Sequence, residues 1–279
     1  MTEPKPNSTQ SPTLLRLMRN EPCYSLGLRT ARNLEIVRIA KAQGYHKIWV
    51  DLEHSSMPVD LAGAMCATAR DLGMDAWVRI PEGDFGVIGR VLDAGASGLI
   101  LPQIHSAAEA RHAAGFCRYP PDGARSHNTL NAGTGFRRLA PSERIGRANR
   151  GIAVQVLLES PEAIGNAAEI AAVPGVDIIS LGLNDLSAAC GAFGDVRSDR
   201  IGGLCRAAIA AARSAGKLAV IGGIAGPEHF SELRALGAAP YVFAGIDTEM
   251  LVSACEDRIA LWRAIAEPTA TDGNRDRNA

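Results

Sequence analysis

The chain has 279 residues, of which 47% are hydrophobic, and its formal net charge is −1. A chain of this kind can bury the core of one large domain, because barrels of alternating strands and helices commonly contain about 250 residues. The balanced charge, with Lys and Arg scattered along the chain, excludes the basic surface that nucleic-acid binding requires and favours a small-molecule partner.

The cysteines and the termini predict a cytoplasmic protein. The six cysteines are widely spaced and form no C-x-x-C pair, as is usual in a reducing compartment. The sequence has neither the apolar core of a signal peptide nor the roughly 18 apolar residues of a membrane span, so we expect no membrane partner. Both ends are polar. We therefore predict a polar tail over residues 1–22, disordered at its start, one domain over 23–267 and a disordered tail over 268–279.

Short apolar runs alternate with segments of helical period between the tails. The predicted strands cover residues 23–28, 47–51, 76–79, 98–103, 153–159, 175–182, 217–222 and 240–244. The predicted helices cover residues 31–43, 59–72, 84–94, 106–117, 160–172, 198–215, 227–237 and 247–266, with a further short helix near 141–149 in a long connection. Strict alternation of eight pairs predicts parallel strands with crossover helices, hence an α/β protein with a closed (β/α)8 TIM barrel. An open doubly wound sheet, which shows the same alternation, is the alternative.

Charged residues stand at the ends of four predicted strands. Asp51 and His54 follow the second strand, and Arg79 ends the third. Glu159 and Asp185 follow the fifth and the sixth. Burying a charge is costly unless it is paired or bound to metal, and the C-terminal ends of all barrel strands meet at one mouth. We therefore expect these residues to form a single site.

The residue types in this group suggest metal and proton chemistry. Glu159 and Asp185 are hard oxygen ligands that suit Mg²⁺ or Mn²⁺, although each could instead cap the helix that follows it. His54 lies three residues after Asp51, so the carboxylate could orient one ring nitrogen and leave the other as a base. A His on the surface is the alternative.

Arg79 offers a planar guanidinium to a carboxylate or to a developing enolate. The alternative for this residue is a structural salt bridge to Asp93 or Glu53.

Seven segments, taken in chain order, carry a family resemblance. They are Ile48 to His54, Val78 to Pro81, Val91 to Ala96 running on to Leu101 and Pro102, Arg118 to Arg125, Leu158 to Ala163, Gly182 to Ser187, and Gly245 to Thr248. Over roughly residues 23–262 the chain resembles the class II pyruvate-specific aldolases, the 4-hydroxy-2-oxoheptanedioate aldolase (HpcH/HpaI) family.

The resemblance implies a barrel of the phosphoenolpyruvate/pyruvate type whose last helix is exchanged between subunits of a homo-oligomer, usually a hexamer. It implies a lyase that joins or separates pyruvate, or a related 2-oxo acid, and an aldehyde through a metal-stabilised enolate. The implied cofactor is Mg²⁺ or Mn²⁺, with Co²⁺ as a further candidate.

The resemblance also implies roles for individual residues, by their position in the matching segments. Glu159 and Asp185 match the metal ligands of the family. His54 and Asp51 match the pair of residues that moves a proton. Arg79 matches the cation that stabilises the enolate. Asp93 matches an acid that lies one contact away from the substrate. The residues that would bind the substrate, together with Arg79, are Gly182, Leu183 and Asn184.

Three departures from the family pattern leave the substrate open. Leu157 stands where a Gln is common, Leu183 where a Pro is common, and Ser126-His127-Asn128 replaces a Gly-Val-Gly. One alternative is therefore a specialised member that uses the same enolate for decarboxylation, a biosynthetic condensation or CoA-ester lysis. An alternative from another class is a barrel that binds a 2-oxo acid without turnover.

Overall fold

A computed structural model describes residues 10–266 as eight strands that alternate with helices. The strands are β1 (Cys23–Leu28), β2 (Lys47–Asp51), β3 (Asp75–Arg79), β4 (Gly98–Leu101), β5 (Ala153–Leu158), β6 (Ile178–Gly182), β7 (Leu218–Gly222) and β8 (Tyr241–Ile246). The α-helices are α1 (Pro12–Met18), α2 (Glu35–Ala42), α3 (Val59–Asp71), α4 (Gly86–Asp93), α5 (Ala107–Gly115), α6 (Pro141–Gly151), α7 (Pro161–Gly165), α8 (Ala167–Ala171), α9 (Leu183–Ala189), α10 (Asp199–Ser214), α11 (Gly226–Ala235) and α12 (Asp247–Ala266). Residues 1–9, which are part of the tail predicted for residues 1–22, and residues 267–279, which include the tail predicted for residues 268–279, lie outside the described residues.

The strands form one parallel sheet that nearly closes on itself. Their order is β7-β6-β5-β4-β3-β2-β1-β8, and β8 pairs with β1 in parallel. The two ends of the sheet meet where the N–H of Ala239, just before β8, donates to the carbonyl of Ala219 in β7 at 2.7 Å. This order confirms the predicted (β/α)8 barrel, because an open doubly wound sheet would not bring the eighth strand beside the first.

Side chains alternate between the two faces of each strand, so the barrel has an inner core and an outer core. Trp49 and Trp77 pack inside the barrel, whereas their neighbours Val50 and Val78 pack under the surrounding helices. The two indoles fit because the strands beside them carry glycine. A Cβ atom on Gly27 would lie 2.7 Å from Trp49, and one on Gly98 would lie 2.7 Å from Trp77.

Helix α1 closes the N-terminal end of the barrel. Leu14 and Leu17 join the inner core at 7% and 3% exposure. The carboxylate of Asp75, at the start of β3, accepts hydrogen bonds from the Ser11 hydroxyl at 2.7 Å and from the Thr13 N–H at 2.6 Å. Residues 12–18, which the sequence analysis assigned to a polar tail, are therefore an ordered part of the barrel.

The helices differ from prediction in two further places. The predicted helix over 160–172 is divided at Asn166 into α7 and α8. Helix α9 begins directly after β6 and was not predicted, since its seven residues are too few for helical periodicity to stand out from the apolar strand before them.

Helix α12 exposes apolar side chains along its length. Four residues of types that would normally be buried, Leu251, Ile259, Trp262 and Ile265, are 52% to 61% exposed. Within residues 10–266, no helix is both long and apolar enough to cross a bilayer. The apolar surface of α12 therefore lacks a covering element within the described chain.

Candidate active site

A cavity of about 720 Å³ opens at the C-terminal ends of the strands. Its wall includes four of the predicted charged residues, namely His54, Arg79, Glu159 and Asp185. It also includes the segment Gly182, Leu183 and Asn184, for which substrate binding was predicted. The structure thus brings residues from distant parts of the chain into one place, as expected of strand ends in a barrel.

Asp51 and Arg79 form a buried ion pair beside the cavity. They are register partners on β2 and β3, and both point into the barrel. Nε and Nη2 of Arg79 donate to the two carboxylate oxygens of Asp51 at 2.9 and 2.5 Å. Nε of Arg29 donates to the same carboxylate at 2.6 Å. Burial raises the pKa of Asp51, but the bonds and charges of the two arginines outweigh it and hold that pKa below its ordinary value.

The ring of His54 does not take the position that was predicted for it. Asp51 accepts the backbone N–H of His54 at 3.2 Å, whereas the His54 ring lies 3.7 Å from the carboxylate of Glu53. The lone pairs of Asp51 are directed at arginines and backbone N–H groups, so this carboxylate cannot also orient the imidazole. With a side chain 56% exposed, His54 faces the mouth of the cavity. In this structure Glu53 is therefore the carboxylate next to the imidazole.

Glu53 links the buried ion pair to the rest of the site. Its carboxylate lies 3.0 Å from Nη1 of Arg79, which is the salt bridge that the sequence analysis held as an alternative for this arginine. Burial raises the pKa of Glu53, and the negative charges of Asp51 and Asp185 raise it further, against the lowering effect of Arg79. Arg79 is thus held by two carboxylates and still lines the cavity.

The carboxyl groups of Glu159 and Asp185 both line the cavity, where the charge of Asp185 acts on Glu159. Glu159 is 5% exposed. Burial and then the negative charge of Asp185 raise its pKa to about 8, although the N–H of Gln103 donates to it at 3.3 Å. Two neighbouring carboxylates repel each other unless a proton or a cation lies between them.

The pair suits a divalent cation. Oxygen ligands and an incomplete protein shell are what Mg²⁺ and Mn²⁺ accept, because these ions keep water or substrate oxygens as their other ligands. Residues 10–266 contain no cluster of three or more His, Cys, Asp or Glu side chains that could enclose an ion completely. The helix after Glu159 is capped by the Ser160 hydroxyl, which accepts the N–H of Ala163 at 3.1 Å, so the alternative of a capping Glu159 does not hold.

Backbone geometry keeps space open around the pair. A Cβ atom on Gly182 would lie 2.7 Å from Oε1 of Glu159, so any other residue at this position would push the Glu159 carboxylate out of its present place. Helix α9 starts at the next residue, Leu183, and no side chain caps it. The N–H groups of its first turn, near Asn184, therefore remain available to a ligand.

Asp93, which was predicted to lie one contact away from the substrate, does not line the cavity of its own chain. It ends α4 and accepts hydrogen bonds from Arg125 at 2.6 Å and from the side-chain amides of Asn128 and Asn131 at 3.1 Å each. Helix α4 runs away from the mouth toward the next strand, so its last residue lies at the opposite end of the barrel. Asp93 anchors the long connection between α5 and β5.

Sequence reasoning missed Arg29 and Glu53. Arg29 directly follows β1, so the rule that singled out the other charged strand ends would have found it. The loop that carries Arg29 is held by Asp247, whose carboxylate accepts the backbone N–H of Arg29 at 2.8 Å and of Ala31 at 2.6 Å. The sequence did not indicate that Glu53 contacts the His54 ring, because only the fold shows whether Glu53 or Asp51 lies next to it.

Comparisons with known proteins show which sequences this chain is similar to. A family model described as HpcH/HpaI aldolase/citrate lyase matches residues 29–254. A protein of Hapsidospora irregularis named 4-hydroxy-4-methyl-2-oxoglutarate aldolase is 36% identical over 205 residues, which are 72% of this chain and 76% of that protein. A hydroxypyruvate/pyruvate aldolase of Delftia acidovorans is 32% identical over 261 residues, 91% of this chain and 93% of that protein.

The fold has a similar solved structure as well. The crystal structure of an HpcH/HpaI aldolase from Desulfitobacterium hafniense superposes with a TM-score of 0.84 at 24% identity, covering 91% of this chain and 97% of that one.

Proposed function

Because the chain belongs to the HpcH/HpaI aldolase/citrate lyase family and is therefore a carbon–carbon lyase, we propose that it is a metal-dependent aldolase for 4-hydroxy-2-oxo acids. It separates them into pyruvate, or a related 2-oxo acid, and an aldehyde, or joins the two. The observation that carries this proposal is the pair of carboxyl groups formed by the buried Glu159 and the exposed Asp185, both of which line a cavity that Arg79 also lines.

Glu159 and Asp185 would hold the divalent cation, which we propose to be Mg²⁺ or Mn²⁺, with Co²⁺ as a further candidate. When bound, such an ion acts as a Lewis acid that draws electron density from a carbonyl oxygen. Gly182 supports this arrangement, since its missing side chain leaves room for Glu159. The N–H groups at the start of α9, from Leu183 and Asn184, would bind the substrate carboxylate.

Arg79 supplies a fixed positive charge for the enolate. Asp51 and Glu53 hold its guanidinium from two sides, so its orientation is set before substrate binds. Preorganised charge of this kind stabilises negative charge as it develops in the transition state. In the cleavage direction, the electron pair of the C3–C4 bond moves onto the 2-oxo acid as an enolate, and C4 becomes the aldehyde carbonyl carbon.

His54 is the proposed base at the mouth of the cavity. It accepts the proton of the C4 hydroxyl as the bond breaks, and a proton then adds to C3 of the enolate to complete the 2-oxo acid. An imidazole titrates near neutral pH and can both take and return this proton. Its neighbour Glu53 would stabilise the protonated ring, which is a change from the dyad with Asp51 that the sequence suggested.

Replacing His54 with Ala is expected to lower kcat for cleavage by about 10²- to 10⁴-fold, the usual contribution of a general base. Binding of pyruvate should change little, because the ring is exposed at the mouth. Steady-state kinetics with calorimetric titration of pyruvate would check this, with the exposed His112→Ala on α5 as the matched control. Equal losses in rate and affinity would make His54 a binding residue instead.

We also propose a homo-oligomer, a hexamer by family resemblance, in which α12 packs on a neighbouring subunit. The support is the row of exposed apolar residues on α12, since large apolar patches on a folded protein usually mark an interface. A cytoplasmic location is proposed as well. It is supported by the six cysteines, all within the described residues and all free.

Light scattering after size exclusion should give a particle mass that is a multiple of the chain mass of 29.3 kDa. The double substitution Trp262→Glu with Ile265→Glu should reduce it to the mass of one chain, because two charges would then have to be buried in the interface. The control is Glu256→Ala, an exposed polar position on the same helix. A wild-type chain that is monomeric at micromolar concentration would refute the proposal.

One assay separates the proposed function from its alternatives. Release of pyruvate from a 4-hydroxy-2-oxo acid, dependent on added Mg²⁺ or Mn²⁺, would support the aldolase. Decarboxylation of oxaloacetate without aldol cleavage would instead support a specialised member of the family. Pyruvate binding with neither reaction would support a barrel that binds a 2-oxo acid without turnover.

A further inference from the structure

Arg29 lines the cavity, and most of its hydrogen-bond donors have no partner in the protein. A guanidinium carries five N–H donors. Nε of Arg29 donates to Oδ2 of Asp51 at 2.6 Å, and the Arg29 side chain is 28% exposed. Its Nη1 and Nη2 atoms form no hydrogen bond within residues 10–266. Four charged N–H donors are therefore available to a ligand at the cavity wall.

The position of this guanidinium is set before a ligand binds. The carboxylate of Asp247 accepts the backbone N–H groups of three successive loop residues, namely Arg29 at 2.8 Å, Thr30 at 2.9 Å and Ala31 at 2.6 Å. Asp51 holds the other end of the Arg29 side chain through Nε. A donor that is already oriented does not have to reorganise during the reaction, so it stabilises developing negative charge effectively.

Arg29 lies across the barrel from the carboxyl group of Glu159. It directly follows β1, and β1 stands four places from β5 in the order of the eight strands. The loop of Arg29 also contacts the loop of His54, since Nη2 of Arg32 donates to Oγ of Ser56 at 3.1 Å. A substrate whose 2-oxo acid end is held at Glu159 therefore extends toward the side of the cavity where Arg29 and His54 lie.

We propose that Arg29 is a catalytic residue that donates a hydrogen bond to the carbonyl oxygen of the aldehyde, which is the C4 hydroxyl oxygen of the 4-hydroxy-2-oxo acid. This inference rests on the proposed function. It gives the two arginines of the site separate tasks. Arg79 stabilises the enolate, and Arg29 stabilises the oxygen on the other side of the C3–C4 bond.

The chemistry of a guanidinium suits this oxygen. In condensation, C3 of the enolate forms a bond to the aldehyde carbon, and the electron pair of the C=O π bond moves onto the oxygen. Arg29 keeps its proton throughout, so it stabilises this negative charge without neutralising it. His54 then supplies the proton that completes the C4 hydroxyl. In cleavage the same steps run in reverse.

The test is Arg29→Met in the metal-loaded full-length enzyme. It should lower kcat/KM for aldol cleavage by about 10²- to 10³-fold, the usual effect of removing one donor to a developing oxyanion. Exchange of the C3 protons of pyruvate with D2O, followed by NMR, forms the enolate without an aldehyde. That exchange should keep its wild-type rate, and calorimetric titration should give the wild-type affinity for pyruvate.

Two further variants make the result specific. Arg29→Lys keeps a cation beside Asp51 but not the planar fork, so it should melt near the wild-type temperature and still cleave at least about tenfold more slowly. It therefore decides the question even if Arg29→Met is unstable. The matched control is Arg32→Met, which makes the same change three residues later at an exposed position outside the cavity wall. This control should leave cleavage and exchange unchanged.

The possible results separate this role from the proposed function. If the wild type cleaves and the Arg29 variants cleave equally fast, or if they slow cleavage and exchange to the same extent, the role of Arg29 is refuted while the aldolase stands. If the wild type cleaves no 4-hydroxy-2-oxo acid, the proposed function fails and the role of Arg29 fails with it. Slow cleavage with normal exchange, in the Arg29 variants and not in Arg32→Met, would uphold the proposal.

Discussion

Glu159→Gln is expected to abolish tight binding of Mn²⁺ and to lower kcat/KM for aldol cleavage by at least about 10²- to 10³-fold, the usual effect of losing a transition-state contact. The amide occupies the same space but carries no charge, so the pair with Asp185 can no longer hold a divalent ion. The barrel should remain folded, because Gln satisfies the same contacts. Calorimetric titration with Mn²⁺ and steady-state kinetics at saturating metal would measure both effects.

The same substitution has a pH signature in the metal-free protein. Burial and the negative charge of Asp185 raise the pKa of Glu159 from its ordinary value of 4.5 to about 8, so the folded state keeps a proton that the unfolded state releases. Because the folded state binds this proton more tightly than the unfolded state, the wild type is stabilised near pH 4.5 and below. This stabilisation is lost as the pH rises from about 4.5 to 8. Gln does not titrate. Metal-free Glu159→Gln should therefore gain thermal stability relative to the wild type as the pH rises through this window.

The matched control is Glu162→Gln, which makes the same change at an exposed position on α7 and should alter neither metal binding nor activity. Unchanged activity of Glu159→Gln at low metal concentration would refute its assignment as a ligand. A constant difference in melting temperature from pH 5 to 8 would refute the close pairing with Asp185.

Arg79→Ala should have the second large effect, on stability and on activity together. The fully buried carboxylate of Asp51 would keep only Arg29 as a cationic partner, and removing one member of a buried pair costs about 3–5 kcal/mol. Loss of the fixed charge should also lower kcat/KM by about 10²- to 10³-fold. Arg79→Lys keeps the charge without the planar fork, so it should recover part of the stability and little of the activity.

Chemical denaturation and kinetics on the same samples would measure these changes. The control is Arg197→Ala, because Arg197 pairs with Glu232 on the surface and such a bridge contributes less than about 1 kcal/mol. If Arg79→Ala were as stable as this control, the buried pair would not contribute as the structure suggests. If it kept full activity, Arg79 would have no part in stabilising the enolate.

Most of the fold was predictable because the sequence patterns that indicate its strands and helices are local. Each strand is a short apolar run, and the two inner tryptophans are accommodated by glycines on neighbouring strands. Helix α1 was missed because its seven residues are too few for helical periodicity to stand out, and only the barrel shows that Leu14 and Leu17 fill its end. The break at Asn166 was also missed, since helical periodicity continues across it.

The site was predictable as far as strand position determines it. Glu159, Asp185 and Arg79 were found because the ends of parallel strands converge in a barrel. The partner of an individual side chain was not predictable, because rotamers and competing partners decide it. Thus Asp51 contacts arginines and not the His54 ring, and Asp93, at the end of α4, does not line the cavity of its own chain.

Helix α1 also has a kinetic consequence. With Leu14 and Leu17 closing one end of the barrel, every molecule that reaches Glu159 enters and leaves by the same opening. Under the proposed function, the product bound deeper would have to wait for the one above it, so we expect the aldehyde to depart first and the 2-oxo acid last. Added 2-oxo acid would then compete with the substrate for free enzyme, whereas added aldehyde would not.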